Sequence, residues 1–144
     1  MLHEQIGYQL KRAQHALRLA MDDVLRDLDL TTAQYAALSV IEETLGVSGA
    51  ALAWRCFVTP QTMNAIVMQL ADRQLIERRQ HPQHGRVLQA FLMESGQQRV
   101  QQAHALVRAI EARMVAGLAV GEQAQLLRWL QACSTALGDE GADA

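Results

Sequence analysis

Apolar residues follow three successive spacing regimes along this chain of 144 residues. Over residues 3–28, Ile6, Leu10, Ala13, Leu17, Met21, Val24 and Leu28 recur every three or four positions, which is one apolar face of a helix. Leu28-Asp29-Leu30 breaks that rhythm, and Thr31 is suited to cap a second helix. Tyr35, Leu38 and Ile41 follow at steps of three, and Gly46 marks the expected stop. Ser48 opens a short third helix reaching about Arg55, with Ala51 and Leu52 expected to face inward. After the brief apolar turn Cys56-Phe57-Val58 comes Thr59-Pro60. Threonine is a good helix cap, and proline costs nothing at the first helical position, where its missing N–H has no partner to lose. The fourth helix so begun runs to about Arg73 and buries Met63, Ile66 or Val67, and Leu70.

Two short helices joined by a tight turn form a helix–turn–helix pattern. Beyond it the spacing changes: Leu75 to Gln80 and Val87 to Leu92 read as strands around the polar loop His81-Pro82-Gln83-His84-Gly85-Arg86. A hairpin placed there is a wing. Helical spacing then returns, with Ser95 as the expected cap and Val100, Ala103, Val107, Ile110 and Met114 on one stripe. Leu118 to Gly121 interrupts it before a last helix marked by Leu126, Leu127, Leu130 and Leu137. The fold class expected is mainly α (α+β), a winged helix–turn–helix with a two-stranded wing and long helices at both ends. Those end helices are too apolar along one side to stand in water. A second copy of the chain is the simplest cover, since closed two-fold dimers are the commonest oligomers.

Composition refines this picture only locally. Half the residues are hydrophobic and 19% are charged, as in a folded domain. The net charge of −2 does not point to nucleic acid, but its distribution does. From Arg55 to Arg86 five arginines face only Asp72 and Glu77, a local +3, and the remainder carries −5. No apolar run approaches the roughly 20 residues of a membrane span, and no signal peptide is recognisable. A soluble cytoplasmic chain without membrane contact is expected, its Cys56 and Cys133 reduced and half-buried.

Catalytic chemistry finds no support. No Ser/His/Asp set, phosphate-binding glycine loop or paired carboxylate motif presents itself, and Glu42-Glu43 reads as a solvated pair. His81 and His84 lie three apart in a proline-containing loop without nearby carboxylates or thiols, so neither a metal nor any other cofactor is expected. His3, His15 and His104 read as polar helix positions.

Several segments, in order, resemble the MarR family of bacterial transcription regulators. Leu30 to Leu38 (LTTAQYAAL) is similar to the family's "LT-x-x-Q-(aromatic)-x-x-L" entry to the second helix. Leu70 to Arg79 (LADRQLIERR) resembles its "GLI-x-R" junction into the wing, and Gly85-Arg86 sits where its wing arginine lies. Met93-Glu94-Ser95-Gly96 is similar to the "LT-x-x-G" start of a long fifth helix, with Met93 in place of Leu and Glu94 in place of Thr. The chain departs from the pattern at Gln74, where glycine is usual, at Ala65, often basic in relatives, and in lacking an aspartate before the wing arginine. The resemblance implies one unit over 1–144, with a winged helix–turn–helix at 30–92 and dimerisation helices at 1–28 and 94–138.

It also implies a homodimer on double-stranded DNA, with fourth helices in successive major grooves. Gln61, Thr62 and Asn64 are the expected readers, since amide side chains pair with adenine and threonine meets a thymine methyl. Thr59 is expected at a phosphate and Arg86 in the minor groove. Arg55, Arg73 and Arg79 are phosphate candidates; Arg78 points to the opposite strand face from Arg79, and which of the two meets DNA is left open. Relatives commonly answer to a small aromatic effector, for which Tyr35, Trp54 and His15 are candidate linings here, although core packing explains the aromatics equally. Some relatives sense oxidants through cysteine; Cys56 follows Arg55 at the elbow, but burial is the preferred reading. A repressor is the leading expectation, and a winged-helix protein-interaction module without DNA binding is the alternative.

Overall fold

Helix caps set most of the element boundaries. The computed structural model describes residues 1–139. It contains α1 (Ile6–Leu25), α2 (Thr32–Glu43), β1 (Val47–Ser48), α3 (Gly49–Arg55), α4 (Pro60–Asp72), β2 (Ile76–Gln80), β3 (Leu88–Leu92), α5 (Glu94–Met114) and α6 (Val120–Ala136). Thr31 caps α2 as expected: its hydroxyl accepts the Gln34 N–H at 3.0 Å, and the Gln34 carbonyl oxygen accepts the Thr31 N–H at 3.0 Å. Ser48 and Thr59 cap α3 and α4 through the N–H groups of Ala51 and Thr62, both at 3.1 Å.

Three boundaries differ from expectation. The first helix is flanked by 3-10 turns at Leu2–Glu4 and Arg26–Leu28, and the second of these ends at Asp29 in the left-handed region (φ 53°) before α2. Ser95 lies inside α5 and does not cap it; its hydroxyl instead donates to the Gln74 carbonyl at 2.6 Å. The cap position is Met93, which offers no side-chain bond. Counted back from Gly96, the five-residue "LT-x-x-G" pattern begins at Leu92, so Met93 and not Glu94 occupies its threonine slot. The last helix starts at Val120, inside the expected interruption.

The sheet has three strands, one more than the expected wing, in the order β1-β3-β2 and antiparallel throughout. Val47 pairs with Ala90, and Ile76 with Leu92, so the base of the wing is anchored to the chain entering α3. The core beneath it gathers Leu25, Leu38, Leu52, Met63, Leu70, Leu75, Ile76 and Val100. Both Ile66 and Val67 are buried, and in α3 Ala53 joins Leu52 inside while Ala51 is exposed.

Recognisable chain reversals close α3 and α4. Leu75 N–H donates to the Leu70 carbonyl (3.0 Å) and Gln74 N–H to that of Ala71 (2.9 Å), a Schellman motif in which Gln74 takes φ 60°. Phe57 does the same after α3 at φ 58°. Left-handed backbone favours glycine, so both residues carry strain. Beyond α4 the chain packs so closely that a Cβ on Gly96 would fall 1.9 Å from the Leu75 carbonyl oxygen.

The end helices remain open. Ile6 (81% exposed), Leu10 and Leu19 on α1, and Val120, Leu127 and Trp129 on α6, face solvent, and α6 buries none of its residues. A groove of about 200 Å³ between α1 and α5 is lined by Ala13, Ala16, Leu17, Ala20, Ile110, Arg113 and Met114. Among the described residues no helix is long and apolar enough to cross a membrane.

Candidate nucleic-acid interface

α4 divides its residues by face. Met63, Ile66, Val67 and Leu70 fix the helix in the core, which leaves Gln61, Thr62, Asn64 and Ala65 exposed near its N-terminus. This N-terminus carries the positive end of the helix dipole, and Pro60 at the first position leaves one fewer N–H to satisfy. Thr59 is exposed and already engaged: its oxygen accepts the Thr62 N–H, and its hydroxyl meets that of Thr62 at 3.0 Å. Asn64 reaches the sulfur of Met68 at 3.6 Å. Met68, half exposed one turn further on, extends the same face and was not anticipated because a methionine at helical spacing reads as core.

The arginines are not equivalent. Arg86 is exposed at the wing tip and makes no hydrogen bond or ion pair with the described residues. Arg79 lies 4.4 Å from the Phe91 ring centroid and pairs with Glu77 at 2.9 Å; the hydrogen bond and charge of that pair lower the Glu77 carboxyl and raise the guanidinium. Arg78 stands opposite Ala90 on the other strand face, shared with buried Ile76. Arg55 is mostly buried, donating to Glu43 and to Thr44, both at 2.7 Å; it ties α3 to the end of α2. Arg73 sits at the far end of α4, about 20 Å along the axis from Thr59, and reaches Gln34 Oε1 at 3.5 Å. The patch inferred from the sequence is thus partly neutralised by internal partners.

The wing tip is held by a histidine. His81 Nδ1 accepts the N–H groups of Gln83 (3.1 Å) and His84 (3.2 Å), and the two imidazole rings lie 4.9 Å apart. This acceptor role gives His81 a structural task in the loop where relatives usually place an aspartate.

Tyr35, Trp54 and His15 do not share contacts. The Tyr35 hydroxyl bonds His104 Nδ1 at 2.8 Å, and burial raises its pKa above the ordinary tyrosine value. Trp54 is 74% exposed on α3, and His15 is exposed on α1. A cleft of about 410 Å³ instead opens where α1 meets α2, lined by Arg18, Asp22, Arg26, Asp29, Leu30 and Thr31 to Ala33. Asp22 occupies the α2 N-terminus there, accepting from the Thr32 N–H (3.3 Å) and hydroxyl. The Cys56 thiol is pushed up by burial, against the lowering effect of Arg55.

Glu42 and His104, expected from the sequence to be solvated polar positions, both belong to a network. Glu42 accepts from Gln97 (2.8 Å), Gln101 (2.6 Å) and His104 Nε2 (2.9 Å). Burial alone would raise its carboxyl, but the bonds from His104, Gln97 and Gln101 outweigh it and hold the group below the usual range.

A capped helix, a short helix packed before it and a sheet hairpin directly after it define a winged helix–turn–helix protein. Residues 28–87 match the model of the MarR family. The HTH-type transcriptional repressor Rv2887 of Mycobacterium tuberculosis is 34% identical over 126 residues, spanning 88% of this chain and 91% of the relative. Its crystal structure with salicylic acid superposes with a TM-score of 0.74 at 33% identity, covering 90% of this chain and 96% of that one. Its complex with DNA gives 0.75 at 31% identity, covering 90% and 97%. The chain belongs to the MarR family.

Proposed function

We propose that this protein is a homodimeric, sequence-specific DNA-binding repressor released by a small aromatic ligand. The observation that carries the reading is the division of α4, whose apolar face fills the core while Gln61, Thr62 and Asn64 stand exposed behind a Thr59-capped N-terminus. Two copies covering each other's α1 and α6 would present two such helices to successive major grooves. Gln61 and Asn64 suit adenine and Thr62 a thymine methyl, with Thr59 at a phosphate. Arg86 lies free to enter the minor groove, and Arg73 is a backbone contact at the other end of the helix. Arg55 and Arg79 would each have to exchange a carboxylate for a phosphate, which ranks them below Arg86. The relative solved with DNA and with salicylic acid supports both the duplex and an aromatic carboxylate as ligand classes for this chain. The role is regulatory and not enzymatic, the compartment is the cytoplasm, and the unit is one domain whose head is 30–92 and whose ends dimerise.

Labelled duplexes recovered from a random library test this. Binding should weaken steeply with salt, and Arg86→Ala should reduce the log–log slope by about one per protomer. Absence of any duplex binding above background at low salt overturns the reading in favour of a protein-interaction module. The pairing of Arg55 and Arg79 with internal acids is the observation that favours that second reading.

A further inference from the structure

α5 is shared by the reading head and the stem. Its first turn is fixed to the end of α4: Met93 N–H donates to the Leu75 carbonyl (3.0 Å), and Ser95 bonds Gln74. Further along, Ile110 and Met114 border the groove against α1. Between those points Gln97, Gln101 and His104 converge on the single carboxylate of Glu42. On α2 the partners are Tyr35 and Glu42, seven residues apart and therefore on one face, and the Tyr35 hydroxyl holds the other nitrogen of the His104 ring.

The geometry points to Glu42 as the positioning residue that sets the angle between reading head and stem, and so the half-site spacing the dimer accepts. The inference rests on the DNA-binding reading above. Apolar packing between α2 and α5 is non-directional and tolerates sliding, whereas hydrogen bonds weaken as they lengthen or bend. Donors at 97, 101 and 104 span about 10 Å of helix, so a slide of α5 along α2 stretches at least one of three bonds ending on the same group. Both Glu42 and His104 are about three-quarters shielded from solvent, which lessens competition from water. One added base pair moves a half-site by about 3.4 Å and turns it by about a tenth of a revolution. Beyond the fixed first turn of α5, a contact with α2 held by directional bonds resists that displacement more than one held there by packing alone.

The experiment compares binding of the full-length protein to a selected operator and to versions with one base pair added or removed at its centre. The wild type should prefer the native spacing by about tenfold or more. Glu42→Ala should reduce that preference to about threefold or less, with Glu42→Gln intermediate, because an amide oxygen still accepts from the two glutamines. The double variant Gln97→Ala/Gln101→Ala removes exposed donors only and should move the ratio the same way if Glu42→Ala fails to fold. Val100→Ala, a core truncation on α5 outside the cluster, should lower thermal stability and keep the wild-type ratio. Wild-type discrimination in the folded cluster variants, or equal loss in Val100→Ala, overturns the proposal. If the wild type binds no duplex at all, the DNA-binding reading itself fails and this inference falls with it.

Discussion

A methyl group added at Gly96 would lie 1.9 Å from the Leu75 carbonyl oxygen and 3.3 Å from Cδ2 of Leu92. The first neighbour is backbone inside the Schellman turn and cannot rotate away. α5 must therefore retreat by more than about one ångström to reach a tolerable separation. That movement pulls Met93 N–H from the Leu75 carbonyl and the Ser95 hydroxyl from that of Gln74. Leaving a buried carbonyl without its donor costs about 1–3 kcal/mol, and the residual overpacking a further 1–3 kcal/mol or so. A loss near 4 kcal/mol corresponds to a fall in Tm on the order of 10 °C. Scanning calorimetry at one fixed protein concentration is the assay, since a dimer's melting point shifts with concentration. Gly7→Ala is the matched control: nothing lies within 4 Å of its Cβ position, so its Tm should stay level or rise slightly. If Gly96→Ala melts within a degree or two of the wild type, the close approach is not what requires glycine there.

Other substitutions test neighbouring points. Gln74→Gly should stabilise the protein by about 0.5–1 kcal/mol in urea titrations, because it relieves a left-handed residue whose side chain makes no hydrogen bond among the described residues; a loss of stability would contradict this. The Glu42 carboxyl is depressed in the folded state, so its stabilising contribution is complete above its ordinary value of 4.5 and is lost as pH falls through the lower folded value. Glu42→Gln should accordingly flatten the acid limb of stability against pH, and an unchanged limb counts against the network. Cys56, raised by burial, should react with a disulfide reagent at neutral pH more slowly than a small free thiol, measured in a Cys133→Ser background. Faster reaction would restore the oxidant-sensing role.

Readability from sequence follows the range of the interaction. Thr31 with Gln34, and Thr59 with Pro60, act within one turn, and their residue types alone place the starts of α2 and α4. The strand Val47–Ser48 is too short to show a period, and exists because β3 supplies its partner more than 40 residues later. Ser95 looked like a cap because serine usually is one; the Gln74 carbonyl, 21 residues earlier in the chain, claims its hydroxyl instead. Arg55 appeared free because Glu43 lies on another helix, 12 positions away. The Glu42 cluster joins residues 55 to 62 positions apart, so no local pattern distinguishes that carboxylate from its neighbour Glu43. Gln74 stands where the resemblance places glycine, and there it takes a left-handed φ of 60°.

The open faces of α1 and α6 also bear on how defects in this protein would be inherited. Those faces lie outside the helix–turn–helix, so under the proposed dimer a chain with a ruined α4 and intact ends would keep the surfaces through which two copies join. In a cell making both kinds of chain in equal amounts, random pairing would leave only about a quarter of dimers with two working heads. Head mutations would then act as dominant poisons, while mutations that spoil the ends would behave as ordinary recessive losses.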